Sequence, residues 1–363
     1  MMKIAVLSSL AQETGCWLRA QYIANSLRNA DKKARIDIIK PVKRNLPFML
    51  DLLISIPLNL FRVLFSKADI FIAVKPFPNV TIPLLAKKII SRSRIVIDID
   101  DLDSGYRKGA LSKINSAVQK PFPRYFDIVT YHNPLLYDYI QKEFCVKKER
   151  LYKLEQGVDL SLFDYKTDKK LKERFAGNGE KIILFVGHLN VASDLDDILR
   201  AMKIAQDELT RLKERFVFII AGGGPEEENL KKLARLLKVK AVFTGYLDKE
   251  EIAKYISAAD LCLVYYKDKH ANYYRCSMKM RECMAMGKKI ACDDVGELKK
   301  FREYSYQSPA DIKKYAEKIV EIIKSGGDGR ERKGRKFIEK NFDWEEIGRR
   351  FMKRLKILPR TSQ

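Results

Sequence analysis

The run YYRCSMKMRECMAMGKKIACDD, residues 273–294, carries the residue types and spacing best suited to chemistry. Ser277 can cap a helix running to about Met286, and Gly287 ends it before the next strand-like run. A helix start leaves amide donors outside its own hydrogen-bond ladder, here those around Ser277, Met278 and Lys279, and the helix dipole adds partial positive charge there. That combination suits a diphosphate, and the Lys279 ammonium in the first turn adds a full charge. Glu282, less than two turns further on, stands where its carboxylate can accept hydrogen bonds from ribose hydroxyls. A second reading stays open for it, that of a solvated surface glutamate.

Other turns carry weaker signals. KIILFVG (181–187) runs into HLNVASD, placing Gly187 and His188 at a turn, and FVFIIA (216–221) runs into GGGPEEE (222–228), placing Gly223 and Gly224. Glycine lets backbone approach a ligand, and Pro225 near a helix start leaves amides to meet an anion. Each glycine is equally compatible with a plain structural turn. GGGP lacks the G-x-G-x-x-G spacing of a dinucleotide site, which argues against a nicotinamide oxidoreductase. In the first half, SSLAQETG (8–15) brings Gly15 to a helix start, and DIDDLDSGYR (98–107) sets four carboxylates after a strand. Asp101 and Asp103 are the candidates for positioning an acceptor hydroxyl; metal binding and a helix-capping role are the competing readings.

The elements that must position these residues alternate in a regular way. Short β-branched runs at 3–7, 35–39, 69–74, 94–100, 126–131 and 151–154 are separated by amphipathic stretches, the pattern of a parallel sheet covered by helices on both faces. The polar stretch 164–181 reads as a linker, after which the alternation restarts at 181–187, 216–222, 241–245, 260–266 and 288–293. Two doubly wound α/β domains follow, 1–160 and 161–342, facing a cleft. Residues 343–363 form a third piece, because Trp344, Ile347, Phe351 and Leu355 recur at helical spacing opposite a basic face. Ligands of such sheets bind outside the carboxyl ends of the strands, where all the turns named above lie.

Composition narrows the partners. The 363 residues carry 70 Lys and Arg against 47 Asp and Glu, a net charge of +23 that favours an anionic partner. No aromatic-and-basic nucleic-acid module accompanies that charge, so nucleic acid is not the expected partner. Six cysteines without a C-x-x-C pair, and only three histidines, support neither a zinc site nor a disulfide framework. Cys145, Cys262 and Cys292 fall among apolar neighbours, as buried thiols do. The N-terminus lacks a secretory core, and the most apolar run, 47–65, is interrupted by Asp51, Pro57 and Arg62, which reads as an in-plane or buried helix rather than a spanning one. With KPFPNVTIPLLAKKIISRSR (75–94) it suggests a face lying on lipid, the other reading being ordinary core helices. A cytoplasmic protein peripheral to an anionic membrane surface is the expectation.

Taken in order, the motifs resemble those of the GT4-like retaining glycosyltransferases of GT-B fold over nearly the whole chain. LEQGVDLSLF (154–163) looks like the family's hinge, LFVGHL (184–189) like its glycine turn, and FIIAGGGPEEENLKKLA (218–234) like its G-D-G-P-E stretch. FTGYLDKEEIAKYISAADLCLVYY (243–266) resembles the segment before the donor site, S-x-K-x-x-E-x-M-A-x-G (277–287) the donor-binding helix, and FDWEEI the closing helix that crosses back to the first domain. The resemblance implies sugar transfer from a UDP- or GDP-linked donor to a lipid-linked or glycan acceptor, with the nucleotide-sugar as substrate and no separate cofactor. It makes Glu282 the ribose-contacting second glutamate of the family's E-x7-E pair. The first glutamate falls at Tyr274, and the family's Arg and Lys that face the leaving diphosphate fall at His188 and Ser193. Lys279 or Arg275 is then the replacement charge, and an inactive binding relative in glycoconjugate assembly is the alternative.

Overall fold

The computed structural model describes residues 1–10, 15–42, 44, 46, 48–101, 116–164, 169–177 and 179–358. Asp103 and residues 11–14, between Leu10 and Gly15, lie outside them. The chain divides into two compact units, the first made of Met1–Gln156, Tyr274–Cys276 and the segment from Trp344 on, the second of Gly157–Tyr273 and Ser277–Asp343.

In the first unit the order is β1 (Lys3–Ser8), α1 (Gly15–Ala30), β2 (Arg35–Ile39), α2 (Phe48–Phe65), β3 (Ile70–Val74), α3 (Pro78–Ser91), β4 (Arg94–Asp98), β5 (Ile128–Tyr131), α4 (Pro134–Glu143) and β6 (Leu151–Lys153). The strands form a parallel sheet in the order β2-β1-β3-β4-β5-β6, so the topological switch point lies between β1 and β3. β3 is buried at all five positions, which is why its sequence is a continuous apolar run rather than an alternation.

The second unit continues with α5 (Lys169–Ala176), β7 (Lys181–Val186), α6 (Leu195–Arg211), β8 (Phe216–Ala221), α7 (Glu227–Leu236), β9 (Ala241–Phe243), α8 (Lys249–Ala258), β10 (Leu261–Val264), α9 (Met278–Ala285), β11 (Lys289–Asp293), β12 (Tyr306–Ser308), α10 (Ile312–Ser325) and α11 (Arg330–Asn341). Its sheet is also parallel, ordered β12-β11-β10-β7-β8-β9, with the switch point between β7 and β10. Alternate residues of β7 serve the two faces. Ile182, Leu184 and Val186 join one core cluster, and Ile183 and Phe185 the other. The expected linker contains α5, whose Leu171 and Phe175 pack on the first of these clusters. β12 is an edge strand of three residues, too short to leave a periodic signature.

The last helix, α12 (Trp344–Lys356), returns to the first unit. Trp344, Ile347, Phe351 and Leu355 are buried in one cluster with Ala20, Ile23, Ala24 and Leu27 of α1. Each such large side chain removed from water contributes roughly 1.5–3 kcal/mol. The two helices come close at Gly348, where a Cβ would stand 2.5 Å from the Ser26 carbonyl oxygen, so only glycine fits there. Among the cysteines, Cys262 and Cys292 are buried as expected, but Cys145 is exposed. It follows the end of α4 in the left-handed region (φ 52°), and that turn carries its side chain away from the core.

Candidate functional site

In the second unit the turns after β7 and β8 and the start of α9 meet at the switch point. Leu189 donates its amide to the Gly223 carbonyl at 3.0 Å, and the Leu189 carbonyl accepts from Glu226 at 2.9 Å. The two turns lie so close that a Cβ on Gly224 would stand 2.3 Å from the Leu189 oxygen, and one on Gly222 would stand 2.1 Å from the Gly187 oxygen. Gly222 also takes φ 137°, which a side chain would strain. These glycines therefore set the shape of the turns. Pro225 precedes α7 rather than opening it, since Glu226 is the cap position.

Ser277 caps α9 as expected, its hydroxyl accepting the Met280 amide at 3.3 Å, and Gly287 (φ 60°) closes the helix, its amide bonded to the Met284 carbonyl. The first-turn amides of Met278 and Lys279 are those an α-helix leaves outside its ladder. The Lys279 side chain reaches back over the Phe185 ring, with Nζ 4.3 Å from its centroid. That places the ammonium 3.5 Å from where a Cβ on Gly187 would be, at the mouth of the β7 turn. His188 is exposed in the same turn, and Ser193 is buried. Glu282 is not a solvated surface residue. Its side chain is 7% exposed, and Oε1 accepts from Lys249 Nζ at 2.6 Å.

Two networks that support this turn region were not legible in the sequence. The Arg281 guanidinium, fully buried, makes a double contact with the Glu297 carboxylate, Nη1 to Oε2 at 2.9 Å and Nη2 to Oε1. It also donates to the Ser277 carbonyl at 3.1 Å and lies against the Phe301 and Phe342 rings. Glu297 in turn accepts from the Ser277 amide at 3.4 Å, so one buried pair holds both sides of the cap residue. Asp194 accepts from the Lys267 amide and the Asn272 side chain, tying down the chain that follows β10.

Asp293, at the end of β11, is fully buried and accepts from the Tyr266 and Val295 amides at 2.5 and 2.7 Å. Burial outweighs those bonds and pushes its carboxyl up to about 7. The native state then holds a proton that the unfolded chain has already released, so Asp293 makes stability fall as pH rises from about 4 to about 7. Urea unfolding of wild type and Asp293→Asn at several pH values should show a shallower loss over that window in the variant. Parallel profiles would refute the assignment.

In the first unit, Gly15 opens α1, and a Cβ there would meet nothing within 4 Å. One turn further on, Arg19 is buried against Asp98, Nε to Oδ2 at 3.0 Å and Nη2 to Oδ1 at 3.1 Å. Asp98 is thus part of the core rather than a group facing ligand. Asp101 is half-buried in the turn after β4, and its partner candidate Asp103 lies outside the described residues. The neighbouring Asp100 stands 3.7 Å from Lys75 Nζ, and its carbonyl meets His132 Nε2 at 2.8 Å. Burial pushes the nearby Cys16 thiol up, which makes it a poor nucleophile. Tyr274 packs edge-on against Tyr139 of α4, and its carbonyl accepts from Asn133, so this position holds a packing residue.

Residues 180–325 match the family of glycosyl transferases group 1. An alpha-D-kanosaminyltransferase of Streptomyces kanamyceticus is 27% identical over 171 residues, which cover 46% of this chain and 42% of that protein. The chain matches less than half the length of the first two curated relatives. Structural likeness extends over the whole chain. A sucrose-phosphate synthase from Thermosynechococcus elongatus superposes with a TM-score of 0.79 at 17% identity, covering 98% of both chains. HepE of Anabaena, in complex with UDP and glucose, gives 0.75 at 15% identity over 99% of this chain and 100% of that one. The fold is therefore GT-B. The match to the group 1 glycosyl transferases lies almost wholly within the second unit.

Proposed function

We propose that the protein transfers a sugar from a UDP- or GDP-linked donor to a hydroxyl of a membrane-associated, lipid-linked or glycan acceptor, with retention at the anomeric carbon. The observation that carries this reading is the Lys279 ammonium at the Gly187 turn, beside the start of α9. A departing nucleoside diphosphate there meets helix-start amides and one full positive charge, aimed where negative charge develops. The family's two diphosphate cations are replaced at His188 and Ser193, and Lys279 supplies the charge from the other side of the turn. The presence of UDP and glucose in the Anabaena protein supports a donor of this class. The nucleotide-sugar is consumed as substrate, so the reaction calls for no further cofactor. Asp101 and Asp103 remain our candidates for positioning the acceptor hydroxyl.

The membrane-facing part of the proposal rests on α2 and α3. Leu50, Leu53, Ile54, Phe61 and Phe65 form an exposed apolar stripe along α2, and Ile82, Ile89 and Ile90 extend it on α3. Exposed Lys40, Lys67 and Arg92 flank it, a mixture that suits an anionic bilayer surface. Among the described residues no helix is long and apolar enough to cross a membrane.

Thermal unfolding with UDP, GDP and their sugars tests the donor claim. A nucleotide at a hundred times its Kd should add roughly 2.7 kcal/mol of stability. Glu282→Ala should lose most of that gain. A protein that no nucleotide stabilises would be the inactive relative instead.

A further inference from the structure

The pairing of Glu282 with Lys249 has a consequence for how the nucleoside is read. The geometry points to Lys249 as the positioning residue for ribose recognition, holding the Glu282 carboxylate ready for the sugar hydroxyls of a nucleoside diphosphate. This inference rests on the reading that Glu282 faces the donor ribose. The two residues are 33 positions apart, on the first turn of α8 and the middle of α9. Their contact, Nζ to Oε1 at 2.6 Å, is largely withdrawn from water, with the lysine side chain 29% and the glutamate 7% exposed.

Lys249 occupies a position that ordinary helix energetics disfavours, because a cation at the first helical residue opposes the dipole. Its backbone is nevertheless fixed. Asp248 and Glu251 form a complete capping box around it, Asp248 Oδ1 accepting the Glu251 amide at 2.8 Å. The ammonium also lies over the buried Phe163 ring, 5.7 Å from its centroid. A lysine held this firmly against the local preference of its helix is explained by what it reaches. A free glutamate samples many rotamers, and ordering it on binding costs affinity. Lys249 settles that orientation before the ligand arrives. It occupies Oε1 and leaves Oε2 to accept from the ribose.

The test compares wild type, Lys249→Met and Lys249→Arg by calorimetric titration, each with UDP and GDP and with the matching 2′,3′-dideoxy diphosphates. Wild type should prefer the ribonucleotide. Lys249→Met should weaken the ribonucleotide roughly tenfold, the effect of about 1.4 kcal/mol, and leave the dideoxy form within about twofold. Lys249→Arg should restore most of the ribose preference, because it keeps a cation on the same carboxylate. A purely structural tie between α8 and α9 predicts equal losses for both nucleotides together with a lower melting temperature, and that result would overturn the inference. An unchanged ribonucleotide affinity in Lys249→Met would do the same while leaving the donor reading intact. A wild type that binds neither UDP nor GDP would remove the donor reading itself, and this inference with it.

Discussion

Lys279→Ala should lower kcat/KM for the nucleotide-sugar by roughly 100- to 1,000-fold, the scale seen when one preorganised donor to a developing charge is removed. The expectation follows from position. The ammonium rests on the Phe185 ring beside Gly187, at the mouth of the β7 turn. The turn at 187–194 carries no lysine or arginine of its own, so on the proposed reading Lys279 is the cation that meets the diphosphate. Most of the loss should appear in kcat, because charge on the diphosphate grows as the glycosidic bond breaks. Folding should change little, since a half-exposed lysine contributes modestly to stability. Initial-rate kinetics with a fixed acceptor, alongside a melting curve, separates the two. A fall of less than threefold would show that the diphosphate is stabilised elsewhere.

Arg281→Leu should have the largest effect on stability, on the order of 3–5 kcal/mol. The substitution leaves the Glu297 carboxylate buried without its cation, and burial of an uncompensated charge is what makes such losses large. It also frees the Ser277 carbonyl and the Phe301 and Phe342 rings from their shared partner. Arg281→Leu combined with Glu297→Leu should recover part of the loss, because the charge and its penalty go together. Urea unfolding of the two variants measures both effects. If the double variant is no more stable than the single one, the pair matters through packing rather than through charge.

The sheets were legible because parallel strands buried on both faces write themselves as apolar, β-branched runs. IFIAV of β3 and KIILFV of β7 leave few alternatives. The cap of α9 was equally plain, since Ser277 and Gly287 bracket a helix-length stretch and both act locally. What escaped were partnerships between distant residues. Nothing in the sequence couples Arg281 to Glu297, Glu282 to Lys249, or Arg19 to Asp98, 79 positions apart. Asp98 illustrates the cost. Four carboxylates in a row looked like one site, yet the first is neutralised in the core by an arginine from α1. Cys145 shows the same limit at short range, because its apolar neighbours are buried while a left-handed turn sends it outward.

The placement of the donor is tested most directly by a crystal structure of the protein with UDP bound. The pyrophosphate should lie at the start of α9, within hydrogen-bond reach of the Met278 and Lys279 amides and the Lys279 ammonium, with the ribose hydroxyls on Glu282. Density for UDP at any other place, with Glu282 and Lys279 untouched, would contradict the account.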